Sequence, residues 1–243
     1  MELKGSVAVV TGGAVRLGRA ISLALAGEGA AVFIHYNRSE GPAEALKDEI
    51  IAAGGSAAAG SGDLSDPGKA RAILAEAAES LGQVNVLVNS ASGFPADTIR
   101  TVEVDAWQST MNLTLGSPLF LTQAFAAQLP SDRNGAVINI TDIKTMRPYK
   151  EHLSYMLAKG GVDTLTRASA IALAPNIRVN AVALGVILPP PGEGEDYVNA
   201  LAASLPLRHA GGAQVVADTV VFLAKNEFIT GEIIHLDGGA LLT

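Results

Sequence analysis

The 243-residue sequence predicts an α/β fold, a single doubly wound parallel sheet flanked by helices. Two observations carry this. Short apolar runs alternate with longer amphipathic ones from one end to the other, the pattern of strands joined by crossover helices. The short runs are also apolar at successive positions, so both faces of the sheet must be covered, as in parallel sheets.

The elements follow in order. Val7-Ala8-Val9-Val10 reads as a buried strand, and Leu17 to Glu28 as a helix ending near Gly29. Ala31 to Ile34 is a second strand, and Ala43 to Ala53 a helix stopped at Gly54-Gly55. Ser56 to Gly60 is a weak third strand, rich in alanine. Pro67 to Leu81 is a helix with Asp66 as its N-cap and proline at its first position. Val84 to Val88 is the fourth strand. Val102 to Leu129 reads as one long helix, bent at Gly116-Ser117-Pro118. Ala136 to Ile140 is the fifth strand, Ser154 to Leu173 a helix, and Ile177 to Val182 the sixth strand. A segment rich in proline and glycine follows at Pro189 to Gly194. Ala213 to Ala224 is a helix, and Ile233 to Leu236 the last strand. No linker or repeat interrupts the series, so residues 1–243 read as one domain. This is a Rossmann-type arrangement, whose ligands bind beyond the carboxyl ends of the strands.

Composition excludes several classes. There is no cysteine, so neither a disulfide framework nor a thiolate site is possible. A formal charge of −7 without a basic block argues against nucleic acid. The histidines (His35, His152, His209, His235) lack ligand spacing, so no metal is expected. The first residues lack a signal-peptide layout and no run is long enough for a membrane span, which leads to the expectation of a soluble, cytoplasmic protein.

The first strand runs into Thr11-Gly12-Gly13-Ala14-Val15-Arg16-Leu17-Gly18, then a helix. A tight turn at a helix amino terminus offers free N–H groups and a favourable dipole to a phosphate. Gly12 and Gly13 permit unusual backbone angles, and Gly18 lets the helix pack closely on the sheet. The second strand ends in His35-Tyr36-Asn37-Arg38-Ser39, with a cation and hydroxyl donors and no carboxylate before Glu40. That set suits a 2′-phosphate and favours NADPH over NADH. Asp63-Leu64 either meets the adenine edge or, through Asp63, caps the next turn.

Tyr155 and Lys159 lie four residues apart and share a helix face. The ammonium is expected to favour the phenolate and make Tyr155 a better proton donor near neutral pH. Asp142, after the fifth strand, is either a carboxyl group that shares a proton with Tyr155 or a loop carboxylate capping a turn.

Together these motifs resemble the short-chain dehydrogenase/reductase family over the whole chain. The match adds Asn89-Ser90-Ala91, Asn112, Arg178-Val179-Asn180, Thr230-Gly231 and Asp237-Gly238-Gly239. The resemblance implies cofactor contacts by Gly12, Arg16, Leu17, Gly18, His35, Asn37, Arg38, Ser39, Asp63, Leu64, Asn89, Ser90, Ala91, Lys159 and Gly185. It implies catalysis by Asp142, Tyr155 and Lys159, with Asn112 supporting a water that links Lys159 to solvent. Arg16 stands where the family usually has glycine, and Asp142 where it usually has serine. Both departures resemble pteridine reductases, as does Ser92-Gly93-Phe94. That likeness implies that Arg16, Ser92, Phe94, Asp142 and Tyr155 bind a pterin, with Phe94 stacking on it. Leu184 stands where the family has proline, and a substrate loop is expected at about residues 185–212. The resemblance further implies a homotetramer built on the long helices. Two other readings stay open: reduction of an oxoacyl, sugar or quinone carbonyl, and a non-catalytic NADPH-binding regulator.

Overall fold

In the computed structural model, which describes residues 1–190 and 192–243, seven strands form one parallel sheet in the order β3-β2-β1-β4-β5-β6-β7. The strands are β1 (Val7–Val10), β2 (Ala31–Tyr36), β3 (Ala57–Ser61), β4 (Val84–Asn89), β5 (Gly135–Asp142), β6 (Ile177–Leu184) and β7 (Ile233–Leu236). The helices are α1 (Arg16–Gly27), α2 (Glu40–Ala52), α3 (Pro67–Leu81), α4 (Val104–Met111), α5 (Ser117–Gln128), α6 (Leu153–Leu173), α7 (Glu195–Ala202) and α8 (Gly212–Lys225).

The unbroken apolar strands have the expected cause. Successive side chains of a strand point to opposite faces. Ala8 and Val10 enter one core with Ile21 and Leu25 of α1, Leu46 of α2 and Val220 of α8. Val7 and Val9 enter the other, with Ile73 of α3, Leu121 and Phe125 of α5 and Ala170 of α6. Both faces are therefore dry. The strand order reverses between β1 and β4, and this switch point is where the glycine turn emerges.

Several boundaries depart from the sequence reading. The third strand is Ala57–Ser61, one residue later than expected, because its alanines carry no strong pattern and its register comes from pairing with β2. The second helix begins at Glu40, since Pro42 fits a first helical turn whose N–H groups have no helical partner. The segment 102–129 is not one bent α-helix. It is α4, a π-helical turn at Asn112–Gly116, and α5. Pro118 lacks an N–H, and the wider turn leaves Ser117 N–H bonded to the Asn112 carbonyl. The helix α7, within residues 185–212, is too short to have announced itself. The proline- and glycine-rich reading at 189–194 includes Pro191, which lies outside the described residues. Asp66 does cap α3, accepting from the Gly68 N–H at 2.9 Å.

Phe125 is fully buried and packs against Gly135, where an added Cβ would sit 2.8 Å from its ring. Phe125→Ala should destabilise the protein by about 3–5 kcal/mol, read from the shift in a urea unfolding curve.

Candidate active site

The site forms where the carboxyl ends of β1, β4 and β5 meet the amino ends of α1 and α6. At the glycine turn, Gly12 adopts φ 62°, and a Cβ there would lie 3.3 Å from Ala91 Cα. Gly13 has no positive φ. It is small because a Cβ would meet the Val10 carbonyl at 2.8 Å. Gly18 is also a matter of space, but against the turn rather than the sheet: its Cβ would strike the Gly12 carbonyl at 2.0 Å. Arg16 lies at φ 51°, in the left-handed region that favours glycine. Its guanidinium donates to the Pro189 carbonyl at 2.5 Å, across the cleft.

Two side chains outside the expected roles lock this turn. The Thr11 hydroxyl accepts from the N–H groups of Ser90 at 2.9 Å and Ala91 at 3.0 Å. This ties the glycine turn to the segment after β4. His35 is buried, accepts from Gly12 N–H at Nδ1 (3.2 Å), and faces the Gly62 carbonyl with Nε2 at 2.9 Å. The tautomer is therefore Nε2–H, and both nitrogens are spent. His35 thus shapes the turn, and it also lines the adjoining cleft.

A cleft of about 440 Å³ runs from this turn to the catalytic candidates Tyr155 and Lys159. Gly12, Arg16, Leu17, Gly18, Asn37, Leu64, Ser90, Ala91 and Ser92 line it, together with Tyr155, Lys159 and Leu184. An adjoining hollow is lined by Asn37, Arg38, Ser39 and Asp63. Asp63 caps the following turn, accepting from the Ser65 N–H at 3.0 Å and its hydroxyl at 2.8 Å. Those bonds, then the Arg38 charge among weaker causes, hold its carboxyl below the usual range.

Five expected residues, Asn89, Gly185, Asn112, Asp142 and Phe94, are not among those lining the two hollows. Asn89 is buried and donates to the Asn139 side chain at 2.8 Å, which in turn donates to Thr166 at 2.9 Å, so it braces β4, β5 and α6. Gly185 donates to the Leu236 carbonyl at 2.9 Å, and its missing Cβ lets Asp237 approach. The Asn112 side chain is exposed, and the residue opens the π-helical turn. None of these roles could be told from a cofactor contact by sequence, because each depends on strand order.

The catalytic candidates do converge. α6 carries Tyr155 and Lys159 on one face, and β5 ends at Asp142. The Tyr155 hydroxyl donates to Asp142 Oδ2 at 2.9 Å. Asp142 Oδ1 accepts from the Lys144 N–H at 2.8 Å, so this carboxyl both caps a turn and holds the phenol. The Lys159 ammonium donates to the Ile140 carbonyl at 2.6 Å and lies 5.6 Å from the Tyr155 ring centroid.

Burial dominates the titration of all three. It pushes Tyr155 well up, and the Asp142 charge and hydrogen bond add to the rise. It pushes Asp142 up against the opposing Lys144 N–H, the Tyr155 hydroxyl and the Lys159 charge. It lowers Lys159 to about 8, against Asp142 and Asp163. The expectation that the ammonium would favour the phenolate is therefore corrected: desolvation and the neighbouring carboxyl outweigh it. Tyr155 stays a protonated phenol, the form a proton donor needs.

Phe94 is half exposed at the mouth. Its ring stacks on His152, with centroids 3.7 Å apart, and meets Tyr155 edge-on at 4.7 Å. Ser92 shares a 3.3 Å hydroxyl contact with Thr114. His152 was not foreseen as a neighbour of Phe94, since nothing in local spacing joins residues 58 apart in this way. Among the described residues no cluster of His, Asp and Glu could hold a metal.

A switch-point cleft with a glycine turn, a tyrosine and a lysine on one helix face defines a nucleotide-binding oxidoreductase. A family model described as Enoyl-(Acyl carrier protein) reductase matches residues 13–240, and the chain belongs to the short-chain dehydrogenase/reductase family. It is similar to the crystal structure of FolM alternative dihydrofolate reductase 1 from Brucella canis complexed with NADP. The TM-score is 0.95 and the identity 35%, over 100% of this chain and 96% of that one. A blue fluorescent protein from a metagenomic library, in complex with NADPH, is also similar, with a TM-score of 0.91 and 34% identity over 98% and 99% of the two chains. A 3-oxoacyl-[acyl-carrier-protein] reductase FabG of Staphylococcus epidermidis is 33% identical over 96% of this chain and 97% of its own.

The His35 locks give a stability test. Burial lowers its pKa from the ordinary 6.5, opposed by the Gly62 bond and the Asp63 charge. The unfolded chain then binds more protons than the folded one below about pH 6.5, so stability falls as pH drops through that value. His35→Gln should flatten the dependence of the urea midpoint on pH between about 7 and 5; an unchanged slope would remove His35 from the effect.

Proposed function

We propose that the protein is an NADPH-dependent reductase of a dihydropterin or dihydrofolate, with Tyr155 as the proton donor. The observation that carries this reading is the 2.9 Å hydrogen bond from the Tyr155 hydroxyl to Asp142, a carboxyl where the family usually has serine. The Brucella protein of closely similar structure, described as an alternative dihydrofolate reductase, supports the pterin class. The similar 3-oxoacyl reductase favours the second reading, reduction of an oxoacyl carbonyl.

The cleft suits the cofactor. The amino terminus of α1 has no side-chain cap, so its N–H groups are free for a phosphate. Arg38, beside Asn37 and Ser39 at the end of β2, supplies the cation for a 2′-phosphate. Lys159 and Tyr155 line the far end. When bound, NADPH supplies the hydride that adds to a C=N carbon of the substrate. Tyr155 gives its proton to the adjacent ring nitrogen. Asp142, whose raised pKa keeps a proton to higher pH than a free carboxyl, reloads the phenol across their hydrogen bond. Lys159, fixed to the Ile140 carbonyl, places its charge beside the tyrosine. Phe94 and Arg16 border the planar substrate and hold it in reacting geometry.

No described helix is long and apolar enough to cross a membrane. Exposed Trp107 on α4, Leu119 on α5 and Ile171 on α6 support assembly as a homotetramer through these helices, which sedimentation would read directly.

Tyr155→Phe should abolish NADPH-dependent dihydropterin reduction while NADPH still binds. Asp142→Ser should lower kcat about 100-fold or more. It should also remove the decline in rate that wild type shows as pH rises through the raised carboxyl pKa. A kcat and pH profile unchanged by Asp142→Ser would exclude the pterin mechanism. Faster turnover of an oxoacyl ester than of any dihydropterin would favour the second reading. Arg38→Asp should raise the Kd for NADPH at least tenfold and leave NADH within about twofold, since a charge-assisted phosphate contact contributes roughly 1.5–3 kcal/mol.

A further inference from the structure

We propose that Asp97 is a positioning residue for Tyr155, clamping the first turn of α6 from the loop after β4. This rests on the reading of Tyr155 as the proton donor.

The amino end of α6 is poorly capped by its own sequence. Its N-cap is His152, which lies in the left-handed region (φ 59°, ψ 40°) and makes no side-chain cap bond. The orphan donors are met instead by a residue far upstream. The Asp97 carbonyl accepts from Leu153 N–H at 3.2 Å. Asp97 Oδ1 accepts from Ser154 N–H at 3.1 Å, and Oδ2 accepts from the Ser154 hydroxyl. Asp97 is 7% exposed and Ser154 fully buried, so water does not replace these bonds. A carboxylate is also the group that a helix amino terminus favours.

The next residue is Tyr155. It lies within the clamped turn, and its hydroxyl must stay 2.9 Å from Asp142 on a different element, β5. Helix ends fray when their first N–H groups lose partners. Loss of the Asp97 clamp therefore moves the phenol relative to the carboxyl. The same loop grips the helix start a second time, through the Phe94–His152 stack and a 2.7 Å bond from His152 Nδ1 to the Pro95 carbonyl. Residues 94–97 thus lie along residues 152–155. The aromatic that borders the substrate and the group that donates the proton are set by one strip of contacts.

The test compares Asp97→Ala, Asp97→Asn and Ser154→Ala with Tyr155→Phe. The readouts are kcat and KM for a dihydropterin, NADPH affinity by fluorescence, and amide hydrogen exchange along α6 and β4. Asp97→Ala should lower kcat at least tenfold, leave the NADPH Kd within twofold, and speed exchange at residues 153–157 but not in β4. Asp97→Asn, whose amide oxygen can still accept from Ser154 N–H, should restore part of both. If Asp97→Ala does not fold, Ser154→Ala decides, with a smaller loss in the same direction. Wild-type kcat and wild-type protection at residues 153–157 in a folded variant would overturn the proposal. If Tyr155→Phe itself keeps full turnover, the proton-donor reading falls. If Tyr155→Phe is inactive while Asp97→Ala and Ser154→Ala turn over normally, only the Asp97 role falls.

Discussion

The site depends on taking water away from a carboxyl, a phenol and an ammonium that remain within reach of one another. Desolvation opposes charge on each, raising Asp142 and Tyr155 and lowering Lys159. At Asp142 and Lys159 their mutual contacts partly offset it, whereas at Tyr155 the Asp142 charge and hydrogen bond add to it. None of the three holds its charge independently of the other two, and the proton between Tyr155 and Asp142 belongs to the pair. A serine in place of Asp142 could still accept the phenol hydrogen bond, but it could not store the proton.

That arrangement survives because rigid elements hold it from several sides. β5 is paired with β6 along its whole length and with β4 over Ala136 to Asn139, and it delivers Asp142 at its last position. α6 is tied back to the same strand by Lys159 on Ile140 and by Thr141, whose hydroxyl donates to Asp163 at 2.6 Å. The Asn89–Asn139–Thr166 bridge fixes β4 against the same pair of elements. On the nucleotide side, Thr11 and His35 hold the glycine turn from two directions. Charge-bearing groups thus sit on a scaffold braced by its own polar pairs, although Asn89 Oδ1 within the bridge is buried without a partner among the described residues.

The relatives differ in what they are described as reducing, yet share this scaffold, because fold and substrate are set by different residues. The sheet and the glycine turn belong to the shared fold, and the Tyr155–Lys159 pair is proposed to serve hydride transfer in general. What distinguishes this chain gathers at the mouth: Arg16 in a strained backbone position, Phe94 covered on one side by His152, Asp142, and Leu184 at the end of β6. Arg16 and Leu184 line the cleft, and Asp142 and Phe94 touch Tyr155, the proposed proton donor.

Sequence alone determined the layer order and picked out Tyr155, Lys159 and Asp142 as candidate reacting groups. Unbroken apolar strands dictate a sheet buried on both faces, and four-residue spacing puts Tyr155 and Lys159 on one helix face whatever surrounds it. The Asp142 and Arg16 substitutions were equally legible, being changes of residue type at fixed motif positions. Tertiary structure decided the rest. The sense of the Tyr155 shift was misjudged because helix spacing counts the ammonium but not the burial or the carboxyl brought in from β5. His35, Asn89 and Gly185 also make framework hydrogen bonds, which only the folded strand order shows. The clamp of Asp97 on Ser154 joins residues 57 apart, and such a contact exists only once β4 and α6 have been folded side by side.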